Sequence, residues 1–304
     1  ESATTRAVIF GTLHKDATLL LMKLLEESGL LSYVGKVNMD RNSPEYLTEH
    51  TAEESLKNTK EWLSEIPKDW QNCKPILTPR FTPTCSDALM EGLGKLAKEY
   101  KLPVQSHLSE NPGEIAWVKE LCPDAKHYGD TYDRYGLLEN SIMAHCVYTE
   151  GEELSALKAR GTMVCHCPQS NTNLCSGAAP IRHFLEENVK VGLGTDVAGG
   201  ANLSMLRAIT DAISVSKLRF RLMDQSLAPL TLEEAFCLAT LSGGSFFGKV
   251  GSFLPGYEAD ALVFHEKRRS VRTQTVKERL EVLLYTGEES ARLQAKFVQG
   301  RQLF

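Results

Sequence analysis

A chain of 304 residues with 42% hydrophobic and 24% charged residues is that of a globular protein able to bury a substantial core, in one large domain or two of middling size. A formal net charge of -5, with Lys and Arg scattered, offers no basic field to a phosphate backbone and excludes nucleic acid as an expected partner. No run approaches the roughly 18 apolar residues of a membrane span, residues 1–5 do not read as a signal peptide, and the eight dispersed Cys suit reduced cytoplasmic thiols better than a disulfide frame.

Residues 4–10 read as a strand already under way, without an initiator Met, so the chain is expected to be part of something longer. A helix follows over 16–29, closed by Gly29, then a strand at 33–37 and a Glu/Lys-rich amphipathic helix over 51–63. Residues 75–78 predict a third strand and 86–100 a helix with Ser86 as N-cap. Apolar Leu102, Pro103 and Val104 lead into a strand that carries Gln105, Ser106 and His107; a helix over 114–120 and a strand at 141–145 come next. The alternation continues with a helix over 152–160, a strand at 162–166, a helix over 181–187 and a strand at 189–196. Strands apolar on both faces, alternating with amphipathic helices, predict an α/β fold with a covered parallel sheet. Seven such strands fit a (β/α)8 barrel with one strand missing better than an open doubly wound sheet. Two more helices, over 203–222 and 231–241, complete a barrel region of residues 1–250; residues 251–304, with short strands near 261–264 and 295–300 and a helix, form a small β appendage.

In parallel barrels, side chains at the carboxyl ends of the strands converge on one cleft. Arg80, His107, His145, His166 and Asp196 all occupy that position. Neutral imidazoles with a carboxylate suit zinc or a similar divalent ion, which lowers the pKa of water toward neutrality. Glu110, three residues beyond His107, can carry protons between that water and a leaving group. No Gly-x-Ser-x-Gly elbow is present, and no Cys has an evident basic partner. Simpler roles stand beside these: His166 could anchor the following loop, Asp196 could cap a helix, and Arg80 could pair with a surface acid. Cys165, Cys167 and Cys175 could form a thiolate site but lack the CxxC pairs of structural zinc. Gly192-x-Gly194 lacks the rest of a dinucleotide fingerprint.

Taken in order, Gln105-Ser-His-Leu-Ser-Glu110, Met143-Ala-His-Cys146, His166-Cys-Pro-Gln-Ser-Asn171 and Gly192-Leu-Gly-Thr-Asp-Val-Ala-Gly-Gly200 resemble the amidohydrolase superfamily. Thr78-Pro-Arg-Phe81 and Ser204-Met-Leu206 narrow the likeness to its guanine-deaminating branch. The resemblance implies a distorted barrel with a β-sandwich built from both chain ends, one zinc, a homodimer, a purine base as substrate and hydrolysis of guanine to xanthine and ammonia. It also implies roles: His107 and Asp196 match zinc ligands, Glu110 the proton shuttle and His145 the His beside the hydrolytic water. Arg80 and Phe81 match the pair that grips and stacks on the purine, with His107, Glu110 and Asp196 completing the substrate contacts. The family's first barrel strand carries a His-x-His pair, and none of the eight His here forms one. That strand is expected upstream of residue 1, and these residues alone are expected to bind zinc poorly and to be inactive. Rival expectations are a sister deaminase or chlorohydrolase acting on another aminated heterocycle, or a metal-free scaffold. A barrel aldolase or isomerase would need a Schiff-base Lys or a phosphate loop, and neither is found.

Overall fold

The computed structural model describes residues 2–267 and 274–304; residue 1 and residues 268–273, within the expected appendage, lie outside the described residues. The chain divides into two compact units, one of Ala7–Val164 with Glu187–Lys190, the other of the chain up to Arg6 with Cys165–Glu186 and Val191–Phe304.

In the unit of Ala7–Val164 the strands are β1 (Arg6–Phe10, whose first residue belongs to the other unit), β2 (Leu31–Gly35), β3 (Val37–Asn38), β4 (Cys73–Pro75), β5 (Thr78–Pro79), β6 (Val104–Leu108) and β7 (Ser141–His145). β8 (Met163–His166) and β9 (Lys190–Leu193) start here and end in the other unit. The sheet order is β1-β2-β4, β3-β5 and β6-β7-β8-β9, and the β2/β4, β3/β5 and β6/β7 ladders are parallel. β7 is buried along its whole length and β2 and β6 at all but one position, as a sheet covered on both faces requires.

Local chemistry sets the helix boundaries. Lys15–Ser28 stops at Gly29, whose left-handed φ of 77° costs a glycine little. Thr51, Ser86 and Asn111 each accept a backbone N–H from the first turn of the helices Ala52–Glu65, Asp87–Tyr100 and Pro112–Leu121. Met22, Val34, Trp62 and Cys73 form a core between the first two of these helices and the sheet.

The single strand expected at 75–78 is interrupted. Pro75 and Pro79 have no N–H to give a ladder, so β4 and β5 are separate, and between them Ile76 bonds to the Val34 carbonyl (3.1 Å) and Leu77 to that of Pro103 (3.0 Å).

In the other unit the long helix Met205–Leu222 packs against Leu232–Cys237 and Val276–Thr286 around Ile209, Ile213, Ala235 and Leu284. Leu238–Ser242 continues the second of these as a π-helical turn. The tail forms an antiparallel sheet of β10 (Ala261–Glu266), β11 (Ala291–Val298) and β12 (Arg301–Gln302). Val276–Thr286 connects β10 to β11 in sequence. No helix among the described residues is long and apolar enough to cross a membrane.

Arg6 closes this unit's tail onto its amino-terminal segment. Its Nε and Nη2 donate to both oxygens of Asp260 (2.8 and 3.0 Å), and Nη2 also reaches Glu258 (2.6 Å). Burial opposes the charged form of Asp260, but the Arg6 hydrogen bonds and charge outweigh it and hold the carboxyl below its ordinary 3.8. A depressed carboxylate contributes stability that is complete above its unfolded pKa and lost as pH falls through the folded one. Asp260→Asn in the full-length protein should therefore lower the unfolding free energy by about 3 kcal/mol at neutral pH. Urea denaturation should show the wild-type advantage shrinking as pH drops below 3.8.

Candidate functional site

β6 and β7 pair in parallel with His107 opposite Ala144 and Leu108 opposite His145. Regular pleating would turn the two imidazoles to opposite faces. At His145, however, φ is 73°, and Cys146 follows at 50°. This left-handed exit ends the strand and stacks the His145 ring on His107, with centroids 5.3 Å apart and planes 16° from parallel. Ser109 is also left-handed (φ 46°). Beyond that turn, Glu110 lies with its Oε2 3.7 Å from His145 Nε2.

The His107 ring is held from several sides. Its Nδ1 lies 2.7 Å from the Arg80 carbonyl, which can only accept, so Nδ1 carries the proton and Nε2 the lone pair. Phe10 packs against it at 4.7 Å and Phe81 meets it edge-on at 6.4 Å. Trp117 in turn abuts Phe81 at 6.2 Å. The Arg80 guanidinium lies over the Phe81 ring (5.2 Å) and reaches the Met39 sulfur (3.6 Å). It forms no ion pair with a carboxylate among the described residues, so the surface-acid role does not apply. A planar donor fork beside an aromatic face, next to two imidazoles and a carboxylate, can orient a flat heterocycle and move protons on it.

Two further carboxylates, unremarked in the sequence, support these loops. Glu153 is buried and accepts from Ser109 Oγ (2.8 Å), Thr149 Oγ1 (2.7 Å) and the Gly129 N–H (2.7 Å). It thus ties the turn leading to Glu110 to the segment after His145. His127, at 3.8 Å, has its pKa raised by the Glu153 carboxylate. Glu114 sits in the first turn of Pro112–Leu121. Burial, with help from the charges of Glu110 and Glu153, pushes it up to about 7. The Asn-Pro-x-Glu pattern at 111–114 marks a helix start; nothing in the sequence marks Glu114 or Glu153 as buried.

Asp196 and His166 belong to the other unit. Asp196 is left-handed (φ 44°), and its carbonyl accepts the Gly200 N–H at 2.6 Å, closing a tight turn. It caps no helix: the next one, Met205–Leu222, is capped by Ser204. A Cβ on Gly199 would come within 2.8 Å of Asp196 Oδ2 and 2.6 Å of Ser170 Oγ, so only glycine lets the turn close against the short helix Pro168–Asn173. His166 is buried at the end of β8, its carbonyl accepting the Gly194 N–H (2.9 Å).

The tautomer of His107 has the donor chemistry of a zinc ligand oriented by a backbone carbonyl. Among the described residues, no group of three or more His, Cys, Asp and Glu forms a metal shell. Cys165 and Cys167 have their sulfurs 4.0 Å apart, and Cys175 is exposed.

The Amidohydrolase family model matches residues 1–289. The chain belongs to the amidohydrolase family. It is similar to the guanine deaminase of Mus musculus, 44% identical over 274 residues that make up 88% of this chain and 60% of the relative. The guanine deaminase of Escherichia coli is 36% identical over 315 residues, covering all of this chain and 69% of the relative. The crystal structure of guanine deaminase from C. acetobutylicum with bound guanine matches with a TM-score of 0.95 and 44% identity, over 100% of this chain and 72% of that one. The α/β barrel class expected from strand and helix alternation is this amidohydrolase fold. The chain spans about 60% of the length of the first curated relatives it matches.

Glu114 yields a pH prediction with a definite sign. A carboxyl raised in the folded state favours folding while protonated, so its contribution weakens as pH rises from its ordinary 4.5 through about 7. Glu114→Gln should remove that part of the pH dependence, and melting temperatures of this amidohydrolase measured across the interval should fall less steeply for the variant than for the wild type.

Proposed function

We propose that the whole protein to which this chain belongs hydrolyses guanine to xanthine and ammonia. The observation that carries this reading is the Arg80 and Phe81 pair beside His107, His145 and Glu110, a constellation suited to a flat, aminated heterocycle. The named relatives of up to 44% identity support it.

Arg80 presents a planar fork to the purine carbonyl and ring acceptor, and Phe81 covers the base face, a contact worth about 1 kcal/mol. His107 and Asp196 would hold zinc as part of its ligand set, and zinc there would supply a Lewis acid that acidifies water. Asp196 would accept a proton from the attacking water, and His145 would orient that water. Oxygen attacks the guanine carbon that bears the exocyclic amine. Glu110 would give a proton to the ring nitrogen and recover one from the attacking oxygen as its carbonyl forms, while the proton taken up by Asp196 passes to the departing amine, so that water and guanine become ammonia and xanthine. Residues 1–250 are assigned to the hydrolase barrel and 251–304 to the carboxyl-terminal part of a small β-sandwich. The protein is assigned to the cytoplasm as a homodimer with a free purine base as its partner.

In the full-length, zinc-loaded protein, Glu110→Gln should reduce guanine turnover by about a thousandfold or more with zinc content unchanged, followed by loss of guanine absorbance and by metal analysis. Retained activity removes Glu110 from the mechanism. Arg80→Ala should raise KM for guanine about a hundredfold, equivalent to losing a bidentate charged contact of about 3 kcal/mol, and leave the melting temperature nearly unchanged. A panel of guanine, 8-oxoguanine, pterin, cytosine and adenosine should single out guanine; preference for another member transfers the assignment to a sister deaminase.

A further inference from the structure

The segment that carries Arg80 and Phe81 leaves the sheet where ordinary ladder bonding fails. Gln105 N–H still reaches the Leu77 carbonyl at 2.9 Å. The next rung would have to come from Pro79, which has no N–H. Side-chain hydroxyls take over at that point. Ser106 Oγ donates to the Pro79 carbonyl at 2.7 Å. The Tyr132 hydroxyl lies 2.9 Å from Ser106 Oγ, accepts the Thr82 N–H at 3.1 Å and donates to the His107 carbonyl at 2.8 Å.

We propose that Tyr132 is a positioning residue of the deaminating site, whose hydroxyl sets the spacing between the purine-gripping Arg80 and Phe81 and the imidazole of His107. This rests on the guanine deaminase reading above. A single oxygen bridges the residue after Phe81 to His107 itself, where no backbone rung can. Its own place is fixed: Tyr132 is wholly buried, stacked on Tyr128 with centroids 5.9 Å apart. The turn that carries it is pinned by Gly129 N–H on Glu153 (2.7 Å) and by a Thr131 to Thr82 hydroxyl contact of 2.7 Å. Phenylalanine would fill the same volume but leave the Thr82 N–H and the His107 carbonyl without this partner in a buried site. The substrate would still be gripped, but by a segment held to the reacting groups only through the Arg80 carbonyl's contact with His107 and the Ser106 hydroxyl, with its Thr82 end released. Misplacement of about 1 Å can cost about a hundredfold in rate.

The test uses the full-length, zinc-loaded protein. Tyr132→Phe should lower kcat for guanine by about tenfold or more while KM changes by less than about threefold and zinc content stays constant. Hydrogen exchange of the Thr82 amide should accelerate. Ser106→Ala should act in the same direction, and the double variant should lose less than the product of the two single losses, because both hydroxyls serve one network. A merely structural Tyr132 would lower the melting temperature and leave kcat alone. The proposal is overturned if Thr82 exchange accelerates and kcat stays within about twofold of wild type. Should Tyr132→Phe not fold, an unchanged kcat in Ser106→Ala overturns it equally. If the wild-type protein does not deaminate guanine, the assigned activity itself falls and takes the proposal with it.

Discussion

The site depends on backbone that abandons regular geometry as the strands end. A parallel ladder pairing His107 with Ala144 assigns the two imidazoles to opposite faces, and the positive φ at His145 reverses that assignment. Ser109, Cys146 and Asp196 share the left-handed conformation, each immediately or shortly after a strand. Non-glycine residues held there cost about 1–3 kcal/mol each and persist only where the surroundings over-determine them.

Glu153 provides much of that over-determination. Its carboxylate takes hydrogen bonds from the strained Ser109, from Thr149 beyond His145, and from Gly129 at the turn leading to Tyr132. Hydrogen bonds to a charged group contribute about 1.5–3 kcal/mol each, comparable with the backbone strain they offset. The same carboxylate therefore couples the loops of β6 and β7 to the Tyr132 turn. Those loops have little freedom to drift independently.

Electrostatics follows from this crowding. Glu110, Glu114 and Glu153 share a small region, and three full negative charges there would repel one another. Burial settles the matter for Glu114, whose carboxyl is raised to about 7 and so is largely neutral below that pH. Glu110, less enclosed, faces His145 at 3.7 Å.

Strand and helix order, most helix caps and the clustering of titratable residues at strand ends were legible in the sequence, because hydrophobic period and capping chemistry are local properties. Thr51, Ser86 and Gly29 act where their types predict. Arg80, His107 and His145 were readable as candidates for the same reason, each ending an apolar run, and Glu110 from its place three residues beyond His107, whereas Phe81 was marked only by the family resemblance. The stacking of His145 on His107 was not readable, since it turns on one φ angle that contradicts strand alternation. Tyr132, Glu114 and Glu153 carried no signal either. Their significance comes from burial and from partners as far as 50 residues away in sequence, as Tyr132 is from Thr82, and such partnerships exist only once distant segments have packed together.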